Sequence, residues 1–507
     1  MQWLHTWAGL VLGTLLFAIF WMGTLSVFDQ ELDRWMMPET RFTLPAHWSL
    51  DEVVVPAVER LAQENAIIQW GATLPDERRP YVRLFYQLQG GGFHSARIDS
   101  RNGEMLGDPQ TLGATGFIFP FHYRLHLNWL GLGYWLVGLA AMAMLALLVS
   151  GVVIHKKIFR DIFTFRPGKS LPRSSLDMHN LSAVAFLPFH FLITLSGLII
   201  FIGIYFPGAA DLVYAHQANP GAAFFAEAGD GFSRPPSAEP LTRHVPLNSL
   251  VERAQSHWRD DVGFIRVFNH GDASAVVQLG RSVGGEISWN IDKLFFDAGT
   301  GELLKESVIG SMMTLQRFFV GFHFVQFEHW LLRWLYFIGG LAGCAMIGTG
   351  FLFWIQSRQK HHLRENSRSR VLVGALSLGS TLGLILATVA FFLINRILPP
   401  DAAFMGWPRA ELEVAVFALV WVAAFVHPLR CFAAAARQLC MAIALVSSLS
   451  VIANWFSTGE TLWISIDGAH WGVAGTDMML LALAGSAALA GGALRRRALR
   501  RAMPALP

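Results

Sequence analysis

The chain has 507 residues, of which 53% are hydrophobic and only 15% are charged, and its formal net charge at pH 7 is +3. Soluble globular domains carry roughly a quarter charged residues, so this composition excludes an ordinary soluble protein and indicates a polytopic membrane protein. The three cysteines, Cys344, Cys431 and Cys440, lie in or beside apolar segments, which excludes a disulfide framework and a metal–thiolate spacing.

Eight apolar runs each approach the roughly 20 residues that a membrane-spanning helix requires. The first run has no basic region before it and no small-residue cleavage site after it, so we expect a retained helix rather than a signal peptide. The predicted spans are residues 4–28, 127–154, 179–206, 330–356, 371–395, 413–429, 436–456 and 472–494.

Basic residues concentrate in the short loops 155–178 and 357–370 and in the tail from Arg495. Because positively charged loops stay in the cytoplasm, both termini are predicted to be cytoplasmic. The two long loops, 29–125 and 207–322, then face outward.

The two long loops resemble each other. Each has a helical pattern, Leu50–Asn65 in the first and Leu247–His257 in the second, followed by strand-like segments. Each then reaches a turn of the pattern Asp-x-x-x-Gly-Glu, at Gly103 and Gly301, where positive φ is expected. We predict a small α+β domain in each loop, with one helix on a short antiparallel sheet. The strand-like segments are Tyr81–Gln87, Gly92–Ile98, Phe264–Asn269 and Ala275–Leu279.

The order span, outer domain, span therefore occurs twice, as an internal repeat. A glycine follows both His5 and His179 by eighteen residues. In a parallel repeat, equivalent residues lie at equal depth around an axis along the membrane normal. We expect His5 and His179 to pair near the cytoplasmic side, and His126 and His323, each at the opening of a span, to pair near the outer side.

Two pairs of histidines at two depths in a helical core suit two haem groups with two axial imidazoles each. Two further histidines have no counterpart in the repeat. His155 could replace a member of the inner pair or bind a propionate. His190 follows His179 by eleven residues, about 16 Å along one helix face, and could serve an intermediate site or a relay. Eight other histidines are expected at surfaces or interfaces: His94, His122, His270, His329, His361, His362, His427 and His470. Asp477 is expected to be solvated near the outer end of the last span.

Several stretches resemble the PepSY-associated transmembrane proteins. They are the H-x-x-x-G-L pattern at His5, the D-x-x-x-G-E-x-L turns, the RLH start of the second span and the stretch SLDMHNLSAVAFLPFH, and the resemblance covers about residues 1–356. It does not extend to residues 371–507. Together, the predicted spans and this resemblance favour an all-α polytopic membrane protein of about eight spans with two small α+β PepSY-like periplasmic domains. The expected division is 1–28, 29–125, 126–206, 207–322, 323–356 and an additional four-span module over 357–507.

The resemblance implies a haem-containing reductase of the bacterial inner membrane. Members of this type pass electrons from a donor, which would be a quinol or a cytoplasmic reductase, to a periplasmic ferric siderophore, and Fe(II) is released. The haem b ligands carry over to His5, His126, His179 and His323, and less directly to His155 and His190.

Two other functions remain open at this point. The chain could be a permease for iron chelates or haem without redox activity, or a PepSY-type regulatory or inhibitory membrane protein. The sequence has no nucleotide-binding fingerprint, so we expect no built-in nicotinamide or flavin site and no nucleic-acid partner.

Overall fold

A computed structural model describes residues 1–155, 166, 170–206, 208–289, 292–307, 309–357 and 368–502. Most of the predicted basic loops, with His361 and His362, lie outside these residues. The chain divides into a helical unit, made of Met1–Pro38, Pro109–Leu195 and Trp334–Pro507, and a sheet-containing unit, made of Glu39–Asp108 and Ser196–Arg333.

Long apolar runs form the helices of the helical unit, because a helix satisfies its own backbone hydrogen bonds where no water can do so. A π-helical turn, Ala114–Ile118, precedes the helix that begins at Phe119, and a second one, Gly379–Gly383, joins the helices Arg368–Leu378 and Leu384–Ile397. The helices are α1 (Gln2–Ser26), α2 (Asp29–Met36), α4 (Phe119–Arg124), α5 (Leu132–Ile154), α6 (Leu171–Ala185), α7 (Leu187–Ile200), α13 (Trp330–Ser357), α14 (Arg368–Leu378), α15 (Leu384–Ile397), α16 (Arg409–Thr458), α17 (Leu462–Asp467) and α18 (Trp471–Ala502).

The predicted count of eight spans is not confirmed. Among the described residues, six helices are long and apolar enough to cross a membrane, or seven if the bent pair α6 and α7 forms one span. Two predicted spans, 413–429 and 436–456, fall within α16. Its 50 residues would extend about 75 Å, more than twice the hydrocarbon thickness, and its helical geometry is interrupted at Cys431.

The sheet-containing unit holds one antiparallel sheet of eight strands in the order β4-β3-β2-β1-β5-β6-β7-β8. The strands are β1 (Ile67–Thr73), β2 (Tyr81–Leu88), β3 (Phe93–Asp99), β4 (Met105–Leu106), β5 (Val262–Phe268), β6 (Val276–Arg281), β7 (Lys293–Asp297) and β8 (Leu303–Glu306). The helices of this unit are α3 (Leu50–Glu64), α8 (Ile202–Tyr205), α9 (Gly208–Val213), α10 (Pro220–Ala228), α11 (Leu247–Trp258) and α12 (Ser311–Phe324). A short hairpin outside this unit pairs β9 (Ala403–Phe404) with β10 (Trp407–Pro408).

Helices α3 and α11 share one core with the sheet. Alternate strand residues face this core, including Trp70, Leu84 and Ile265, and both helices bury apolar residues in it. The Asp51 carboxylate of α3 accepts hydrogen bonds from the backbone N–H groups of Leu247 (2.8 Å) and Asn248 (2.9 Å) at the start of α11. The first turn of α11 is thus capped by the other half of the repeat.

The repeat is exact at the two turns that were predicted from it. Gly103 and Gly301 both have φ of +73°, and each donates its N–H to the carbonyl of the aspartate four residues earlier over 2.9 Å. The halves nevertheless do not form two separate sheets. Strands β1 and β5, one from each half, pair from Gln69 opposite Phe268 to Thr73 opposite Phe264, so the two predicted α+β domains share one continuous sheet.

Candidate functional site

His5 and His179 lie side by side within the helical unit. Their ring centroids are 6.3 Å apart and the ring planes meet at 85°. His5 lies in the first turns of α1, and His179 lies in the middle of α6. The structure therefore brings together the two histidines that the repeat matched.

The same ring nitrogen is occupied in both residues. Nδ1 of His5 is 2.9 Å from the hydroxyl of Ser150, and Nδ1 of His179 is 2.7 Å from the carbonyl oxygen of Met346. Within the described part of the chain, no hydrogen bond reaches either Nε2. Metal-bound histidines typically show this arrangement, in which an outer partner holds one nitrogen and fixes the ring while the other binds the metal.

Both rings line a cavity of about 480 Å³. Its walls come from α1, α5, α6, α7 and α13 and are mostly apolar. His155, at the end of α5, lines the same cavity, together with Asn180. This combination of apolar walls with a few polar groups is typical of a cofactor site.

Glycines give the two rings room against the neighbouring helices. A Cβ atom at Gly151 of α5 would lie 3.4 Å from the His5 ring, and one at Gly350 of α13 would lie 3.1 Å from the His179 ring. Larger residues at these two positions would displace the imidazoles.

The same glycine–histidine contact recurs in two other places, each within one unit. A Cβ atom at Gly23 would lie 2.7 Å from the ring of His122, and one at Gly197 would lie 2.9 Å from the ring of His323. Nδ1 of His122 is 2.8 Å from the carbonyl oxygen of Ile19, and Nδ1 of His323 is 3.0 Å from the hydroxyl of Ser196.

The contact between Gly197 and His323 changes which histidine of the first half of the repeat corresponds to His323. His323 was matched with His126, whereas the structure gives it the environment of His122, which was expected to be an ordinary interfacial residue. A signal for this was present in the sequence, since both His122 and His323 follow phenylalanine and precede a tryptophan by seven residues.

His126 has a different environment. Its Nε2, rather than Nδ1, is engaged, 2.8 Å from the carbonyl oxygen of Phe117, and its ring stacks on the Phe117 ring with centroids 4.8 Å apart. The predicted pairing of His126 with His323 stays a prediction.

We predicted that His179 and His190 lie on one continuous helix, and this prediction is wrong. The chain breaks at Phe186, and α6 and α7 differ in direction by 65°. Pro188 in the first turn of α7 is the sequence signal for this break. His190 is fully buried, its Nε2 lies 3.1 Å from the carbonyl oxygen of Gly339, and its Nδ1 has no hydrogen-bond partner.

Asp477 is not solvated, contrary to the prediction. It is fully buried in α18, where its carboxylate accepts hydrogen bonds from the indole N–H groups of Trp35 (2.7 Å) and Trp455 (2.8 Å). Asp477 thereby links α16 and α18 to α2, which gives it a structural role.

The separation of the two rings of the inner pair is compatible with one metal ion held between them. Two metal–nitrogen bonds of about 2 Å each, plus the half-widths of two imidazole rings, separate the ring centroids by about 6 Å. The observed 6.3 Å agrees with this value. Among the described residues, no group of three or more His, Cys, Asp or Glu side chains could hold a metal ion by themselves. Two imidazoles suffice for haem, because the porphyrin supplies the other four ligands.

The family model for PepSY-associated TM regions matches residues 2–357 of this chain. The chain belongs to this family. A relative of known sequence, the uncharacterized protein PA4219 of Pseudomonas aeruginosa, is 26% identical over 312 residues. That alignment covers 57% of this chain and 73% of the relative. The family match includes both halves of the repeat and ends with α13, so α14 to α18 lie outside it.

Proposed function

We propose that this PepSY-associated protein is a b-type haem reductase of the bacterial inner membrane that passes electrons outward to a ferric siderophore. The observation that carries the proposal is the spacing of His5 and His179, whose rings lie 6.3 Å apart across a mostly apolar cavity. Transport or inhibition would not require two imidazoles held in this way.

The residues around the cavity have distinct roles in this proposal. Ser150 and the Met346 carbonyl fix the two imidazoles through Nδ1, so that Nε2 of each is left for iron. The apolar walls exclude water, which limits the reorganisation that accompanies a change of charge. Bound haem would supply one-electron redox chemistry, which the side chains cannot.

We further propose that His122 and His323 are iron ligands, in preference to His126. Both have Nδ1 engaged and a glycine against the ring, as His5 and His179 do. His126 has its Nε2 engaged instead. His155, which lines the inner cavity, would be available to bind a propionate of the haem. His190 is too closely packed between phenylalanine rings to be assigned a ligand role.

The acceptor in this proposal is iron held by an oxygen-rich chelator outside the membrane. One electron converts Fe(III) to Fe(II), which such hard oxygen ligands hold less tightly, so the metal is released. A quinol or a cytoplasmic reductase is the proposed donor.

Liposomes reconstituted with the protein would test this function. Dithionite is enclosed in the lumen, a ferric chelate is supplied outside, and a coloured Fe(II) chelator reports reduction. The proposal predicts external Fe(II) that is absent with protein-free liposomes and with the His5→Ala/His179→Ala double variant. Accumulation of labelled chelate in the lumen without Fe(II) outside the liposomes would instead support the permease, and neither signal would favour the regulatory protein.

A further inference from the structure

The outer face of the eight-stranded sheet, opposite α3 and α11, carries a groove where the two halves of the repeat meet. Gly71 of β1 lies in register between Phe85 of β2 and Arg266 of β5. Because Gly71 has no side chain, its neighbours border a depression of about 440 Å³, which Gln69, Phe93 and Phe264 also line.

The walls of this groove are aromatic. Phe93 is 76% exposed, an unusual position for a large apolar ring in a folded domain. Phe264 lies flat over Gly280, where any Cβ atom would overlap its ring. These faces and edges can pack against the rings of a ligand, which adds to the energy of apolar burial.

The groove is also basic. Arg266 of β5 lines the groove. On β2, the guanidinium of Arg83 lies 4.9 Å from the ring centroid of Phe85, which also lines the groove. Lys293 lies on the same face, two strands from Arg266. The described residues that line the groove include no carboxylate.

The nearby carboxylates are already paired with other cations. Asp297 receives Arg234 over 2.5 Å, and Asp230 receives Lys305 over 2.5 Å. Burial lowers the pKa of Lys293, the positive charges of Arg317 and Arg266 lower it further, and the charge of Asp230 only partly offsets this repulsion between cations. An anion in the groove would relieve that repulsion.

We propose that this groove binds a ferric catecholate, a metal chelate that combines aromatic rings with net negative charge. Its rings would pack on Phe85, Phe93 and Phe264, and its deprotonated oxygens, whose charge exceeds that of Fe(III), would face Arg266. A ferric hydroxamate without aromatic rings or net charge matches neither feature. The choice of a ferric chelate as the ligand rests on the proposed function. The inference that this chelate is aromatic and anionic rests on the groove.

The test is equilibrium dialysis of the oxidised full-length protein in detergent, without reductant, against ferric 2,3-dihydroxybenzoate. Wild-type protein is expected to bind it, and Arg266→Gln to weaken binding about tenfold, the loss of one charge-assisted contact. Arg266→Lys should restore much of the affinity. Arg243→Gln removes a positive charge from an exposed loop of the same unit and should bind as wild type does.

Absence of binding to wild-type protein, or equal weakening by Arg266→Gln and Arg243→Gln, would overturn the proposal. A preference for an uncharged ferric hydroxamate would overturn it as well. Because dialysis needs no electron transfer, its result is independent of the liposome assay. A protein that reduces iron but binds no catecholate would support the proposed function and overturn this inference. A protein that binds the catecholate but does not reduce iron would support this inference and overturn the proposed function.

Discussion

The Nδ1 atom of His179 lies 2.7 Å from the backbone carbonyl oxygen of Met346, one turn before Gly350 on α13. A carbonyl can only accept, so this contact places the proton on Nδ1 and leaves the lone pair on Nε2. The backbone of α13 thus fixes both the orientation and the tautomer of His179. His122 has the same relation to the carbonyl of Ile19, one turn before Gly23.

This shared relation predicts different outcomes for two neighbouring histidines. His122→Ala should lower the haem content per chain, because it removes a ring whose Nδ1 is held as in His179. His126→Ala should leave the haem content near that of wild type, because its Nε2 is already engaged by Phe117. A pyridine haemochrome assay of both purified variants measures the difference. Equal losses, or a loss in His126→Ala alone, would refute the assignment.

Alanine substitution should have opposite effects at a glycine that contacts a histidine ring and at one whose added Cβ would contact nothing. Alanine normally stabilises a helix over glycine by about 1 kcal/mol. Gly348→Ala on α13 should show this gain, since nothing lies within 4 Å of its added Cβ. Gly23→Ala should instead destabilise by about 1–3 kcal/mol, because its methyl group would overlap the His122 ring. Thermal unfolding in detergent compares them, and a stabilised Gly23→Ala variant would mean that the ring is free to move.

The junction of the two halves of the repeat predicts a cost for Asp51→Ala. This change removes the acceptor for two backbone N–H groups of α11 and should lower the free energy of unfolding by about 1–2 kcal/mol. Glu52→Ala, at the exposed neighbouring position, serves as the control. Hydrogen exchange at the first turn of α11 reports the effect locally. Unchanged exchange there in Asp51→Ala would show that the cap contributes nothing.

Buried Asp33 on α2 predicts a pH dependence of stability. Burial raises the pKa of Asp33 to about 7, and the charge of Asp29 contributes, although hydrogen bonds from Thr115 and Ala114 oppose the shift. Because the pKa of Asp33 is higher in the folded protein than in the unfolded chain, its contribution to the free energy of unfolding is most favourable below about pH 4. That contribution is lost as the pH rises through 7.

In Asp33→Asn, the free energy of unfolding should therefore decrease less than in wild type as the pH rises from 5 to 8. The difference from wild type that builds up between these limits should reach at most about 3 kcal/mol. Thermal unfolding across this pH range measures it, with Asp401→Asn at an exposed turn as control. Parallel curves for wild type and Asp33→Asn would show that Asp33 does not titrate in this range.

Local pattern predicted much of this structure. The helices α3 and α11, the turns at Gly103 and Gly301, and the proximity of His5 to His179 followed from periodicity and from the repeat. The pairing of β1 with β5 did not, because it joins segments almost 200 residues apart and leaves no local signature. The shared environment of His122 and His323 was missed because the repeats were aligned on the later histidine, His126, rather than on the two histidines that follow phenylalanine and precede a tryptophan by seven residues.

The most direct test of the central claim is the haem content and reduced-minus-oxidised spectrum of His5→Ala and His179→Ala, measured beside His427→Ala. His427 is half-buried on α16, and its Nε2 lies 2.8 Å from the side-chain oxygen of Gln438, so its loss should leave the spectrum unchanged. We expect a red wild-type protein whose Soret band falls by about half in either inner-site variant, since one of the two proposed haems is lost. A colourless wild-type protein made with ample haem, or a spectrum that is the same in all three variants, would contradict it.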